Sequence, residues 1–400
     1  MELTPRGLDQ VEALITKGVR IPNPWTVDID EDVDVERISG SNVVIHPGCR
    51  IRGSRTVISS GCVLGAETPM TVQNCQLGAG VRLAGGYAEG AVFLDGASMG
   101  SGAHIRPGTI LEEQANGAHT VGLKQTILFP FVTLGSLINF CDLLMAGGTS
   151  RQDHSEVGSS YIHFNFTPDG DKTTASLFGD VPRGVLLDQP PIFLGGQGGT
   201  VGPVATGFGT VIGAGSVLRD DVAEDGQLVL PASPQEVYRP VAPASYRRLS
   251  RIISKNVTYL ANLSALESWY RQIRRLFFAQ REAGPLILAG ALVNLTDIRA
   301  ERIKRLRTLV GRLEPSDEGR TQLIERLDHL IEALGVVDGP APAELVRLCG
   351  AAAGNGRQYL DVIGGLSSEQ RIGVSEWLGG IVETQQQNVA ELVPALELRF

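Results

Sequence analysis

Aromatic residues are scarce, at 6% of the 400-residue chain. A core without them has to be built from small aliphatic side chains. Basic residues are outnumbered: 35 Lys and Arg stand against 44 Asp and Glu, a formal net charge of −9. A nucleic-acid-binding body normally carries the opposite balance, so that class is excluded. Cysteine is sparse and odd in number, at Cys49, Cys62, Cys75, Cys141 and Cys349. No two form a CxxC pair, and none is spaced with histidine as zinc ligands are. Reduced thiols packed as small hydrophobes in a cytoplasmic protein are expected instead. No window approaches the roughly 18 apolar residues of a membrane span; the most apolar stretch, Pro285 to Leu295, is too short. The start, Met1-Glu-Leu-Thr-Pro-Arg-Gly7, has no basic region followed by an apolar run, so no signal peptide is expected. Neither membrane nor nucleic acid is an expected partner.

Glycine is what the chain has in abundance, 49 residues, with 42% hydrophobic residues beside it. Ile45, Ile51, Val57 and Val63 fall six apart. Phe93, Met99, Ile105 and Leu111 do the same, with Gly96, Gly102 and Gly108 in step. Val121 and Ile127, then Thr206, Ile212 and Leu218, repeat it. A period of six matches neither a helix nor an alternating strand. It matches one flat strand plus one turn, three of which make a triangular coil with the aliphatics inside. Small residues suit the corners. The expected architecture is a β-solenoid over residues 40–232, after a helix at Gly7 to Lys17 and an extended lead-in within 1–39.

The period lapses between about 142 and 200, which reads as an inserted loop, and a long excursion from a regular solenoid suggests function. After 232 the glycine repeats stop. Residues 240–400 show helical periodicity, with candidate helices Tyr246 to Ala265, Leu266 to Glu282, Leu286 to Leu313, Gly319 to Leu334, Ala343 to Ala353 and Ser367 to Gln385. The basic and apolar residues from Asp297 onward read as a solvated face of a bundle helix, the alternative being contact with an acidic protein partner. This α-helical domain carries no catalytic motif.

Residues 106–222 resemble the acetyltransferase domain of the bifunctional enzyme that acetylates glucosamine-1-phosphate and uridylylates the product. Arg106-Pro-Gly108, Lys124 in Gly-Leu-Lys, the run Val157 to Phe166 with Asn165, Asp169-Gly170 with Lys172, and Ser216 to Val222 carry the likeness. The resemblance implies a left-handed parallel β-helix of hexapeptide repeats, acetyl-CoA as acyl donor, and a homotrimer with sites between subunits. It implies that Arg106 and Lys124 hold phosphate, that Asn139 and Asn165 face the acceptor, and that Lys172 adds a third cation. A guanidinium fork and an ammonium point charge on one site suit a phosphate or pyrophosphate. The acyl-CoA would lie along the glycine-rich coils from Gly195 to Gly215, with Gly195, Gly196, Gly213 and Arg219 against it.

Two departures bear on the chemistry. The resembling family's general base is a histidine in Gly-His-Leu-Thr-Tyr; the chain has Gly135-Ser136-Leu137-Ile138-Asn139. A hydroxyl cannot take a proton from an attacking amine near neutral pH, and general-base help is worth roughly 10²–10⁴ in rate. Residues 143–156 also exceed the family's loop and bring in His154; His163 follows. Either imidazole is a candidate base. His46, His104, His119 and His329 read as ordinary histidines, and no metal site is expected. The uridylyltransferase half is not expected, because no nucleotide-binding pattern precedes residue 40. The sequence thus supports an acyl-CoA-dependent transferase on a sugar phosphate or nucleotide sugar. The alternative is an inactive nucleotide-sugar-binding or scaffold protein.

Overall fold

The computed structural model describes residues 6–164, 174–232, 235–236, 238, 246, 248–335 and 339–400, with the backbone alone for His163 and Phe164. Asn165, Lys172 and Asp169-Gly170 lie outside them. An N-terminal β-solenoid is followed by an α-helical domain.

Every coil contributes three short parallel strands, so three columns of inward residues run the length of the prism. The first face stacks Ile29, Ile51, Val72, Ala88, Ile105, Leu123, Phe140 and Ile162, and ends on Thr200 and Leu218. The second stacks Ile58, Leu77, Phe93, Leu111, Leu128, Met145, Phe178 and Thr206. The third runs from Ile45 through Leu64, Leu83, Met99, Gly117 and Leu134 to Val157, Leu194, Ile212 and Val229. Met99 fills the space Gly117 leaves: a Cβ on Gly117 would meet its Cε at 2.8 Å.

The six-residue period is not kept throughout. After Ile51 one extra residue enters the corner, and the inward side chains are Ile58 and Leu64, where the pattern selects Val57 and Val63. Between Leu123 and Leu128 the corner is one residue shorter, and Leu128 is inward where the pattern selects Ile127. The region 142–200 is not one loop. Its strands Ile138–Met145, Glu156–Val157, Ser160–Phe164, Ser176–Phe178 and Phe193–Leu194 keep the columns, and excursions leave between them. Corners also use residues other than glycine. Asn74, Gln125 and Asp142 take positive φ on the edge between first and second faces, and Thr120 and Leu137 on the edge between third and first. A left-handed backbone costs such residues on the order of 1 kcal/mol each.

The helices are α1 (Leu8–Lys17), α2 (Val181–Gly184), α3 (Leu249–Trp269), α4 (Arg275–Phe278), α5 (Gly284–Val310), α6 (Glu318–Ala333), α7 (Ala343–Gly354), α8 (Tyr359–Gly364) and α9 (Ser368–Leu392). A π turn at Tyr270–Arg274 joins α3 to α4, so two expected helices are one bent rod. α9 starts on a capping box between Ser367 and Gln370.

These helices cover the second face. Its outward row, Val57, Val92, Ile110, Ile127 and Leu144, is buried as completely as the inward one. That explains the adjacent apolar pairs Val92-Phe93, Ile110-Leu111 and Ile127-Leu128: a strand buried on both sides reads as a continuous apolar run. α5 lies along the edge between first and second faces. Gly290 packs on the Gln76 side chain, Asn294 Oδ1 accepts from the Gly108 amide at 3.0 Å, and Arg302 pairs with Asp142 at 2.7 Å. Twelve residues of helix rise about 18 Å, which matches four rung spacings of about 4.8 Å. The opposite edge is held by α3 and its π turn: Arg274 meets Glu112 and Glu113, each at 2.8 Å.

Candidate functional site

The first face is the one side of the solenoid where the expected anion-binding residues gather. Its outward positions alternate with the buried column. One outward row passes through Tyr87, His104, Gly122, Asn139 and Tyr161. The other contains Glu89, Arg106, Lys124 and Cys141; Lys124 pairs with Cys141 on the next rung, and the Arg106 amide bonds the Leu123 carbonyl. Arg106 and Lys124 therefore stand on adjacent rungs, about 4.8 Å apart along the solenoid. The guanidinium leans along the face until Nη2 is 3.6 Å from Cys141 Sγ. Both cations are half-buried, and among the described residues neither has a carboxylate at ion-pair distance. Some other cations of the solenoid are paired, Arg6 and Arg52 with Asp28 and Asp30 for example.

Asn139 is exposed on the same face, one rung beyond Gly122. The backbone of His163 continues that face, since Ile162 pairs with Phe140. His154 is elsewhere. It sits in the excursion after Met145, between the second and third faces, bridged to Gly148, with Nδ1 buried and without a partner. Asp153 does not orient it: its carboxylate accepts from Thr149 Oγ1 at 2.8 Å. The structure therefore does not bring His154 together with Arg106 and Lys124.

Ser136 shares a 2.8 Å hydrogen bond with Nδ1 of His119 on the preceding coil. Sequence reasoning missed this pair, although the eighteen-residue coil period would align positions 118 to 119 with 136. The pair occupies the corner between third and first faces. Five residues and the corner at Thr120 separate His119 from Lys124 along one rung, at most about 16 Å at 3.3 Å per residue.

Gly195 is required by the coils, since a Cβ there would meet the Ala214 amide at 2.4 Å; one on Gly213 would meet only the free end of the exposed Leu230 side chain. Gly196 lies on the same open corner, and Arg219 is an exposed cation whose Nη1 also reaches the Val217 carbonyl at 3.1 Å. Arg219 follows the first-face strand Val217–Leu218, six residues beyond Gly213. Separately, a cavity of about 190 Å³ lies under α5, lined by Arg55, Asn74, Gln76, Glu89 and Asp297 among others. Among the described residues no group of three His, Cys, Asp or Glu could hold a metal ion, and no helix is long and apolar enough to cross a membrane.

The chain is 36% identical over 219 residues to the bifunctional protein GlmU of Mycobacterium avium, covering 54% of this chain and 39% of that protein. Against GlmU of Mycobacterium tuberculosis it is 30% identical over 235 residues, 57% of this chain and 42% of that protein. GlmU of Mycolicibacterium smegmatis gives 30% over 218 residues, 54% and 40%. The solenoid is homologous to the GlmU acetyltransferase domain. With that homology stands the left-handed, hexapeptide-repeat form of the solenoid. The chain spans about two-fifths of the length of these GlmU proteins. No family model matches it.

Proposed function

We propose that the protein is an acyl-CoA-dependent transferase, with acetyl as the acyl group, acting on a sugar phosphate or nucleotide sugar, as a cytoplasmic homotrimer. The observation that carries this reading is the pair Arg106 and Lys124: two cations on adjacent rungs of one face, without carboxylate partners, beside the exposed amide of Asn139. Unpaired cations so placed are suited to a phosphate or pyrophosphate group. Asn165 and Lys172 are assigned to the same ligand on the resemblance alone. Acyl-CoA would supply the thioester, with Gly195, Gly196, Gly213 and Arg219 assigned to it on the resemblance alone. His163 is the proposed base, because its strand continues the face that holds the cations; His154 is the alternative.

A second reading is favoured by Ser136. Where the homologous domain's base would stand there is a hydroxyl bonded to His119, which suits a ligand-binding or scaffold protein whose helical domain meets a partner. The deciding experiment is thiol release from acetyl-CoA by the full chain, with glucosamine-1-phosphate and UDP-linked amino sugars offered as acceptors. Release that needs one acceptor, and that falls in His163→Ala but not in His154→Ala, supports the transferase and its base. No release at high protein concentration, from folded protein that still binds the acceptor, replaces the transferase with the binding reading.

A further inference from the structure

Two features of the first face have no part in acyl transfer. His104 and Tyr87, on neighbouring rungs, stack with ring centroids 5.4 Å apart and planes 23° from parallel. Tyr87 is anchored by donating its hydroxyl proton to Glu89 at 2.8 Å, while His104 is exposed. On the far side of His104 the next rung carries Gly122 in the same row, so among the described residues that row places no side chain on that face of the imidazole. The following rung carries Asn139, whose Oδ1 lies 3.4 Å from the position a Gly122 Cβ would take. The rungs of His104 and Asn139 are two spacings apart, about 9.6 Å. Between them is a slot one ring thick, floored by the Gly122 backbone, with an imidazole on one wall and an amide on the other. Gly122 has no positive φ to explain it, and a strand position favours larger residues. An open slot beside a stacked ring is a use for a missing side chain.

The slot is in register with the cations. Arg106 is two residues beyond His104 on its rung, and Lys124 two beyond Gly122, about 6.6 Å further along the strand. That is the reach of a ribose between a base and its 5′-phosphate. We propose that the first face binds a nucleoside diphosphate, its base stacked on His104 above Gly122 and its phosphates between Arg106 and Lys124. The proposal rests on the phosphate-binding reading given above and extends it from an anion to a nucleotide. Stacking needs only a flat π face, so the exposed Asn139 amide is the group that reads the edge of the base.

The test is calorimetric titration of the full chain with uridine diphosphate, adenosine diphosphate and inorganic pyrophosphate. At least one nucleoside diphosphate binds more tightly than pyrophosphate. His104→Ala and Gly122→Val each weaken that nucleotide about tenfold, the scale of one base–aromatic stack, and leave pyrophosphate unchanged. Lys124→Ala weakens both. The valine has room, since its nearest neighbour is the free end of Asn139, and circular dichroism confirms the fold; the exposed His104 position keeps the test intact if the valine variant does not fold. Equal binding of nucleotide and pyrophosphate, insensitive to both variants, overturns the slot and leaves the phosphate site standing. Failure of all three probes to bind overturns the phosphate site and the slot with it.

Discussion

Arg106 and Lys124 are eighteen residues apart, which is one coil of three hexapeptides, so the period itself places them one above the other. Among the described residues neither has a carboxylate partner, and a charge-assisted hydrogen bond to phosphate is worth about 1.5–3 kcal/mol. Arg106→Ala and Lys124→Ala are each expected to weaken pyrophosphate binding by about ten- to a hundredfold in calorimetry, with the melting temperature nearly unchanged. A melting temperature that falls with the affinity would instead make these residues structural. His154 could not be placed in the same way: it sits in an excursion, where sequence distance no longer counts rungs. The stacked face of His104 was hidden for a related reason. A histidine next to nothing in the sequence is next to Tyr87 in space, seventeen residues away and one coil back.

At the scale of elements, the helical domain is held to the solenoid by ion pairs buried almost completely. Arg302 and Asp142 are 2% and 3% exposed in their side chains, and Arg302 Nε and Nη1 have no partner. Removing one member of such a pair strands the other charge and costs about 3–5 kcal/mol, whereas replacing both with apolar residues is often neutral. Asp142→Asn, which keeps a residue suited to the positive φ there, should alone lower the melting temperature by several degrees, and the added Arg302→Leu should recover most of it. Additive losses in the double variant would rule out that account. Arg274 sits between Glu112 and Glu113, where the two carboxylates compete. Burial, helped by the charge of Glu113, pushes Glu112 up to about 7. Burial acts on Glu113 too, but the Arg274 guanidinium outweighs it and holds that carboxyl below its usual value. A carboxyl raised in the folded state binds its proton more tightly there than in the unfolded chain. Its contribution to stability is present at low pH and declines as pH rises from the ordinary value of 4.5 to about 7. Glu112→Gln should flatten the fall in melting temperature over that window; an unchanged profile would show that Glu112 is ionised throughout.

At the scale of the molecule, the helices leave two of the three solenoid faces open. A homotrimer has to use the first and third, because the second lies under α3 to α5. The outward row at the end of the third face is apolar over three successive rungs, Phe193, Val211 and Leu228 being 38%, 39% and 69% exposed. Sedimentation of the full chain should give three copies, and Leu228→Arg should give one; a trimer that survives the charge excludes that row from the contact. The sequence by itself determined the solenoid and the existence of a helical domain after it. A six-residue period is a local rule, enforced coil by coil through burial of one side chain per strand, and helical periodicity is equally local. It also marked Arg106 and Lys124, since a ligand face on a solenoid inherits the coil spacing. Only the tertiary structure decided the one-residue slip after Ile51, the continuation of the coils through 142–200, and the seat of the helices on the second face. These depend on contacts between residues far apart in the chain, such as Asp142 with Arg302 and Glu112 with Arg274, and no short-range pattern encodes which distant side chain will neutralise a buried charge.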